Sequence, residues 1–303
     1  MVMLSHYYPV LGLTYDDGMI SLCLNFGYLG VAVFFLLSGY GAMISKMNKP
    51  DYLKHYIPKR LIRLYLPFVI VFVINILILL VMGEEIKISY VYSALIMSLP
   101  NTLNWYLKIQ IILYIVFYIL ARISKKDTIM ILLMFILSTA YMIVGFVIGI
   151  TSFWYETVFA FPLGMLLARY KTPIIELVRR RRVITALIVF FAFIVCFAPY
   201  YFMGGTIFEI VFIFGFLLLI VYICTFTYGD FILTTKMGKA SLELYLVHIV
   251  LINSVISKMQ LADMNYGASI AVFLGYVTIS VIIGILLNAV VTHLNRAIIG
   301  KMK

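Results

Sequence analysis

Seven ionisable side chains stand inside long apolar runs: His6, Lys108, Glu156, Glu209, Glu243, His248 and His293. A charge in hydrocarbon is costly, so such residues face a bundle interior or a water-filled cavity, where they bind ligands or move protons. In "MGKASLELYLVHIVL", Ser241, Tyr245 and His248 recur at spacings of four and three, which puts them on one helix face. That stripe is either a pocket wall or a set of interhelical hydrogen bonds. Glu243 falls off the stripe and is assigned a structural role. Glu209 and His293 lie near the ends of their runs and can reach the interface.

Two further stretches carry chemistry. In "NTLNWYLKIQIILY", Asn104 and Lys108 are four apart, with Trp105 between them. Trp105 suits an interfacial aromatic belt. Lys108 lies one turn deeper and calls for an acid or an anionic ligand, and Glu156 in "FWYETVFAFPLGM" is the candidate partner at the same level. In "DYLKHYIPKRLIRLYLPF", Lys59, Arg60 and Arg63 gather at the start of an apolar run. Arginines three apart can grip a polyphosphate through paired hydrogen bonds. On residues alone, anchoring at a membrane surface is the simpler role. Cys23, Cys196 and Cys224 are far apart and lack metal-ligand spacing, so no metal is expected.

The elements that must position these residues are membrane helices. Hydrophobic residues make up 65% of the chain and charged ones 12%, and the mean hydropathy is +1.12. A soluble domain is about half apolar and a quarter charged. Apolar runs cover roughly 1–13, 26–45, 64–82, 90–121 (with its span from Trp105), 128–149, 152–169, 183–203, 206–227, 238–257 and 268–292. The expectation is an all-α, polytopic transmembrane helix bundle. It has about nine full spans plus a partial first helix at 1–13, in one integral membrane domain over 1–303.

Charge placement supports this trace. Twenty of the 23 basic residues fall in alternate loops, from Lys46 through Arg63, Arg122 to Lys126, Arg169 to Arg182, Lys236 and Lys239, and Arg296 to Lys303. The opposite loops hold Asp16, Asp17, Glu84, Glu85 and Asp263, with Lys87 and Lys258. Such asymmetry assigns the basic side to the cytoplasm, the C-terminus with it, in a multi-pass protein of the cell membrane surrounded by lipid. The net charge of +11 follows from it without any nucleic acid partner. The run Arg179 to Arg182 is part of the same topogenic signal.

"GYLGVAVFFLLSGYGAMI" (27–44) followed by "PKRLIRLYLP" (58–67) resembles the second span and basic helix of the acyltransferase 3 family. "NWYLKIQIILY", "FWYETVFAFPLGMLL" and "MGKASLELYLVHIVLI" are similar to that family in the same order. The resemblance implies an integral membrane O-acyltransferase that modifies sugars, with acetyl-CoA or another acyl-CoA as donor. The acceptor it implies is a cell-surface polysaccharide or lipid-linked sugar. It implies a catalytic His6, acting as general base or through an acyl-histidine. It also implies donor phosphates on Lys59, Arg60 and Arg63, and a substrate pocket near Trp105, Lys108, Glu156, Tyr245 and His248. The family pattern places a basic residue eleven positions before its histidine. No such position precedes His6 in the chain given, so the first span is expected to be truncated.

The alternatives are a transporter or flippase for lipid-linked sugars, or an inactive, N-terminally truncated acyltransferase. A transporter favours paired repeats and helices broken at the midplane; no repeat is evident, although Pro162 and Pro199 fall in spans.

Overall fold

The computed structural model describes residues 1–11, 26–100, 105–227, 232–259 and 264–300. Among them there are thirteen α-helices and no strand. In chain order the helices are α1 Val2–Tyr7, α2 Gly27–Asn48, α3 Tyr56–Val81, α4 Ser89–Leu95 and α5 Trp105–Ile123. They continue with α6 Asp127–Val147, α7 Ala160–Arg169, α8 Lys171–Arg180, α9 Arg182–Met203 and α10 Thr206–Phe226. The last three are α11 Ile232–Lys239, α12 Ser241–Ser254 and α13 Tyr266–Gly300.

Eight described helices are long and apolar enough to cross a membrane: α2, α3, α5, α6, α9, α10, α12 with the turn that follows it, and α13. A bilayer core about 30 Å thick needs about 20 helical residues. The chain is an all-α integral membrane protein. One expected span differs: 152–169 forms a 3₁₀ turn at Ser152–Trp154 and then the ten-residue α7, about 15 Å long. Pro162 lies in the first turn of α7, where its missing N–H has no intrahelical acceptor to lose.

The described residues form two compact units, each assembled from several chain segments. The first holds Met1–Gly27, Ile57–Ile111 and Asp230–Lys303. It therefore contains α1, nearly all of α3, α4, the start of α5, and α11 to α13. In α3, Pro58 sits in the first turn, while Pro67 lies inside the helix and cannot donate to the Arg63 carbonyl. Asn75 of α3 accepts a hydrogen bond from Ser254 Oγ of α12 at 3.0 Å. Gly284 of α13 lies so close to Leu244 that an added Cβ would stand 2.7 Å from Leu244 Cδ2. Almost every residue from Glu243 to Ile252 is buried, so α12 is the unit's central helix.

The second unit holds Tyr28–Tyr56 and Ile112–Gly229. Gly39 of α2 and Gly164 of α7 let two backbones touch, since a Cβ on either would collide with a carbonyl of the other helix. At their basic ends, Lys46 Nζ lies 2.7 Å from Asp127 Oδ1 and Arg169 Nε lies 3.8 Å from Asp127 Oδ2. Pairing one carboxylate with two cations fixes the start of α6 beside the ends of α2 and α7.

Candidate active site

The first unit brings the two candidate imidazoles together. His6 and His248 have ring centroids 5.3 Å apart, tilted by 56°. They are separated by most of the chain, so helix packing alone creates the pair. His6 rides on α1, which is only six residues long and could not be stable by itself. Its neighbour Tyr7 anchors it. The Tyr7 ring is buried against Phe273 at 5.0 Å and Tyr276 at 6.0 Å. Its hydroxyl donates to the Ser269 carbonyl at 2.7 Å. Ile252 and Ile256 complete that apolar cluster, leaving His6 exposed. Gly27 presses on the other side of α1, where a Cβ would collide with Ser5 Oγ.

His248 is 1% exposed. Its Nδ1 lies 3.0 Å from the Leu244 carbonyl. A carbonyl only accepts, so Nδ1 carries the proton and Nε2 keeps a lone pair. No described residue hydrogen-bonds that Nε2. Tyr245 stacks edge-on against His248 at 5.5 Å, and Tyr106 of α5 against Tyr245 at 5.1 Å. Tyr245 and His248 thus share one wall, as their spacing requires. The helix around them is apolar on its other faces but buried on nearly all of them.

On α5, Tyr106 packs against this wall. Trp105 and Lys108 lie about 100° and about 160° round α5 from Tyr106, at 100° per residue. Asn104 lies outside the described residues. Glu156 belongs to the second unit, where it is 3% exposed and its carboxyl hydrogen-bonds with Ser152 and Glu209. Glu209, expected to reach the interface, is thus engaged by a buried carboxyl, and Glu156 finds its partners there.

A cavity of about 570 Å³ opens at the other end of α12, within the first unit. Lys59 and Arg63 of α3, Lys239 of α11, and Arg296 of α13 supply four cations to its wall. Glu243 is the acidic residue there, with Leu242, Asn288, Val291, Thr292 and Asn295. Lys59 and Arg63 are four apart and share a helix face. Arg60 is rotated off that face and does not line the cavity. Asn288 Nδ2 donates to the Lys239 carbonyl at 3.0 Å, and its side chain also bonds Glu243. Asn295 Oδ1 is buried with no hydrogen-bond partner among the described residues. The wall thus pairs four cations with acceptors on Glu243 and Asn295, the complement of an oxygen-rich anion that carries donors of its own. No group of three or more metal-ligating side chains occurs among the described residues.

Sequence reasoning missed Tyr106, Lys239, Glu243, Asn288, Asn295 and Arg296. One signal was available: Thr292 follows Asn288 by four residues, and Asn295 and Arg296 follow Thr292 by three and four, on a largely apolar run. Glu243 carried no such mark, because its importance comes from α3 and α13 converging on it.

Among helices long enough to span a bilayer, one buried helix carries both an imidazole of the pair and part of the cationic cavity wall. The family model described as an acyltransferase domain, acyltransferase 3, matches residues 1–289. The chain belongs to that family and is a membrane acyltransferase. Comparison with curated proteins and with solved structures gave no match.

Proposed function

We propose that the protein transfers an acetyl group from acetyl-CoA to a hydroxyl of a cell-surface polysaccharide or lipid-linked sugar. The observation that supports this reading is that α12 contributes both to the cationic cavity and to the imidazole pair. Glu243 in the cavity wall and His248 in the imidazole pair are five residues apart, about 7.5 Å along the helix. The donor's phosphates occupy the wall of Lys59, Arg63, Lys239 and Arg296, on the side taken as cytoplasmic from its basic loops. Its thioester then reaches the histidines from within the protein.

His6 acts as general base. It takes the proton of the acceptor hydroxyl as that oxygen bonds to the thioester carbonyl carbon, and the imidazolium returns the proton to the departing thiolate as the C–S bond breaks. His248 is the positioning partner. Its Nε2 lone pair can accept from a ring N–H of His6, leaving the second His6 nitrogen free to act as base. That bond is not formed in the structure, where the ring centroids stand 5.3 Å apart, so the His6 ring would have to turn to make it.

The test is incorporation of radiolabelled acetyl from acetyl-CoA into glycan by membranes containing the protein. Label should appear with the wild type and fall to background with His6→Ala at equal expression. Wild-type membranes that transfer no label reject the reading.

A further inference from the structure

The second unit holds a groove that the proposed chemistry does not use. Its volume is about 300 Å³, and its walls come from α2, α7, α8 and α10. Its lining is apolar except near one end. Lys171, Ile174 and Ile175 of α8 recur at spacings of three and one, so all three share the helix face turned to the groove. Cys224 of α10 and Val33, Leu37 and Tyr40 of α2 line it as well.

The course of α2 gives the groove its direction. Lys46, six residues beyond Tyr40, meets Asp127 beside Arg169 at the basic end of this unit. Tyr40 therefore lies about 9 Å from that level along the helix, and Val33 about 20 Å from it. Half of a hydrocarbon core is about 15 Å thick. The groove thus runs from the basic interface down to the region of the bilayer midplane. Leu37 in its wall is 58% exposed, so the groove opens sideways to lipid.

Lys171 marks the interfacial end. It follows Arg169 by two residues, is exposed, and makes no ion pair among the described residues. It begins α8, which has the make-up of a helix lying in the interface. Ile174, Ile175 and Val178 are buried or half-buried, and Arg179 and Arg180 form the last turn.

We infer that this groove holds one acyl chain of an anionic phospholipid from the leaflet on the basic side, with the lipid phosphate on Lys171. A chain lying in the groove follows the direction of its neighbours in the leaflet. At about 30 Å³ for each methylene, the room a water takes, the groove accommodates about ten carbons. The charge selects the headgroup. A zwitterionic lipid brings its own cation among these bases, where Asp127 is already paired with Lys46 and Arg169. Glu176 lies about 140° round α8 from Lys171 and is turned away from it.

The test follows the groove's thiol. The full chain is purified in nonionic detergent, and maleimide labelling at Cys224 is measured by peptide mass spectrometry with dioleoylphosphatidylglycerol or dioleoylphosphatidylcholine added. The anionic lipid should slow labelling about fivefold or more, and the zwitterionic one less than about twofold. Lys171→Gln, a change at an exposed position, should label like the wild type without lipid and lose the protection by phosphatidylglycerol. No protection by phosphatidylglycerol, equal protection by both lipids, or protection that survives Lys171→Gln each overturn the inference. Stronger protection by palmitoyl-CoA than by phosphatidylglycerol assigns the groove to an acyl-CoA. Labelling that slows with rising protein concentration in the absence of lipid assigns it to a second copy of the chain. Either result overturns the inference as well.

Discussion

Gly27→Ala tests how the protein holds His6, the proposed general base. At Gly27 an added Cβ collides with Ser5 Oγ and stands 2.9 Å from Ser5 Cβ, closer than real Cβ contacts come. Rotating the serine relieves only the first clash, and it breaks the bond that Ser5 Oγ donates to the Val2 carbonyl at 2.9 Å. The contact with Ser5 Cβ survives any rotation, so α1 must shift by several tenths of an ångström or more. His6 is the next residue along α1 and moves with it. A displacement near 1 Å of a reacting group can cost about a hundredfold in rate. A shift of about half that size is expected to lower kcat for acetyl transfer ten- to a hundredfold. The donor KM should stay nearly constant, because the cavity at the far end of α12 is untouched. The assay is acetyl transfer by membranes, normalised to folded protein by size-exclusion profile. Removing the serine's side chain makes room for the new methyl, so Gly27→Ala with Ser5→Gly should recover at least tenfold of the loss. A single variant with full activity, or a double variant with no recovery, refutes the claim that this contact positions His6.

Two further outcomes follow from the geometry. Arg63→Ala and Lys239→Ala should each raise the donor KM about tenfold through loss of a charge-assisted phosphate contact, while Arg60→Ala, off the cavity wall, changes it far less; equal effects at all three positions contradict the assigned wall. Lys258 Nζ, in the turn after α12, lies 2.7 Å from Oε1 of Glu84, in the loop after α3, and holds that carboxyl below the usual carboxylate range. A lowered carboxyl pKa adds stability that is present above the ordinary value of about 4.3 and disappears as pH falls through the lowered one. The pair is solvent-exposed, so Glu84→Gln should lower the melting temperature only slightly at pH 7, and less as the sample is acidified; a gap that widens in acid contradicts the sign.

Much of this architecture is legible in the residues because hydropathy and loop charge report directly on the bilayer. The apolar runs at 26–45, 64–82, 128–149 and 206–227 correspond to long helices, and the break before Trp105 was visible. The run at 152–169 misled because composition cannot distinguish a spanning helix from a short buried one. Gly39 and Gly164 bring α2 and α7 into backbone contact, so α7 is apolar because protein surrounds it. His248 and Tyr245 were readable from their spacing. Their meeting with His6 and Tyr106 was not, because it depends on how α1 and α5 dock against α12. The cationic cavity shows the same limit. Lys59 and Arg63 stood out as a local cluster, whereas Lys239 and Arg296 looked like ordinary basic loop ends until the fold placed them beside that cluster.

The central claim is that His6, positioned beside His248, activates the acceptor hydroxyl for acyl transfer. The most direct measurement is labelled acetyl incorporation from acetyl-CoA by membranes bearing wild-type or His6→Ala protein at matched expression. Wild-type membranes should yield labelled glycan, and membranes bearing the variant only background. Label incorporated equally by both would contradict it.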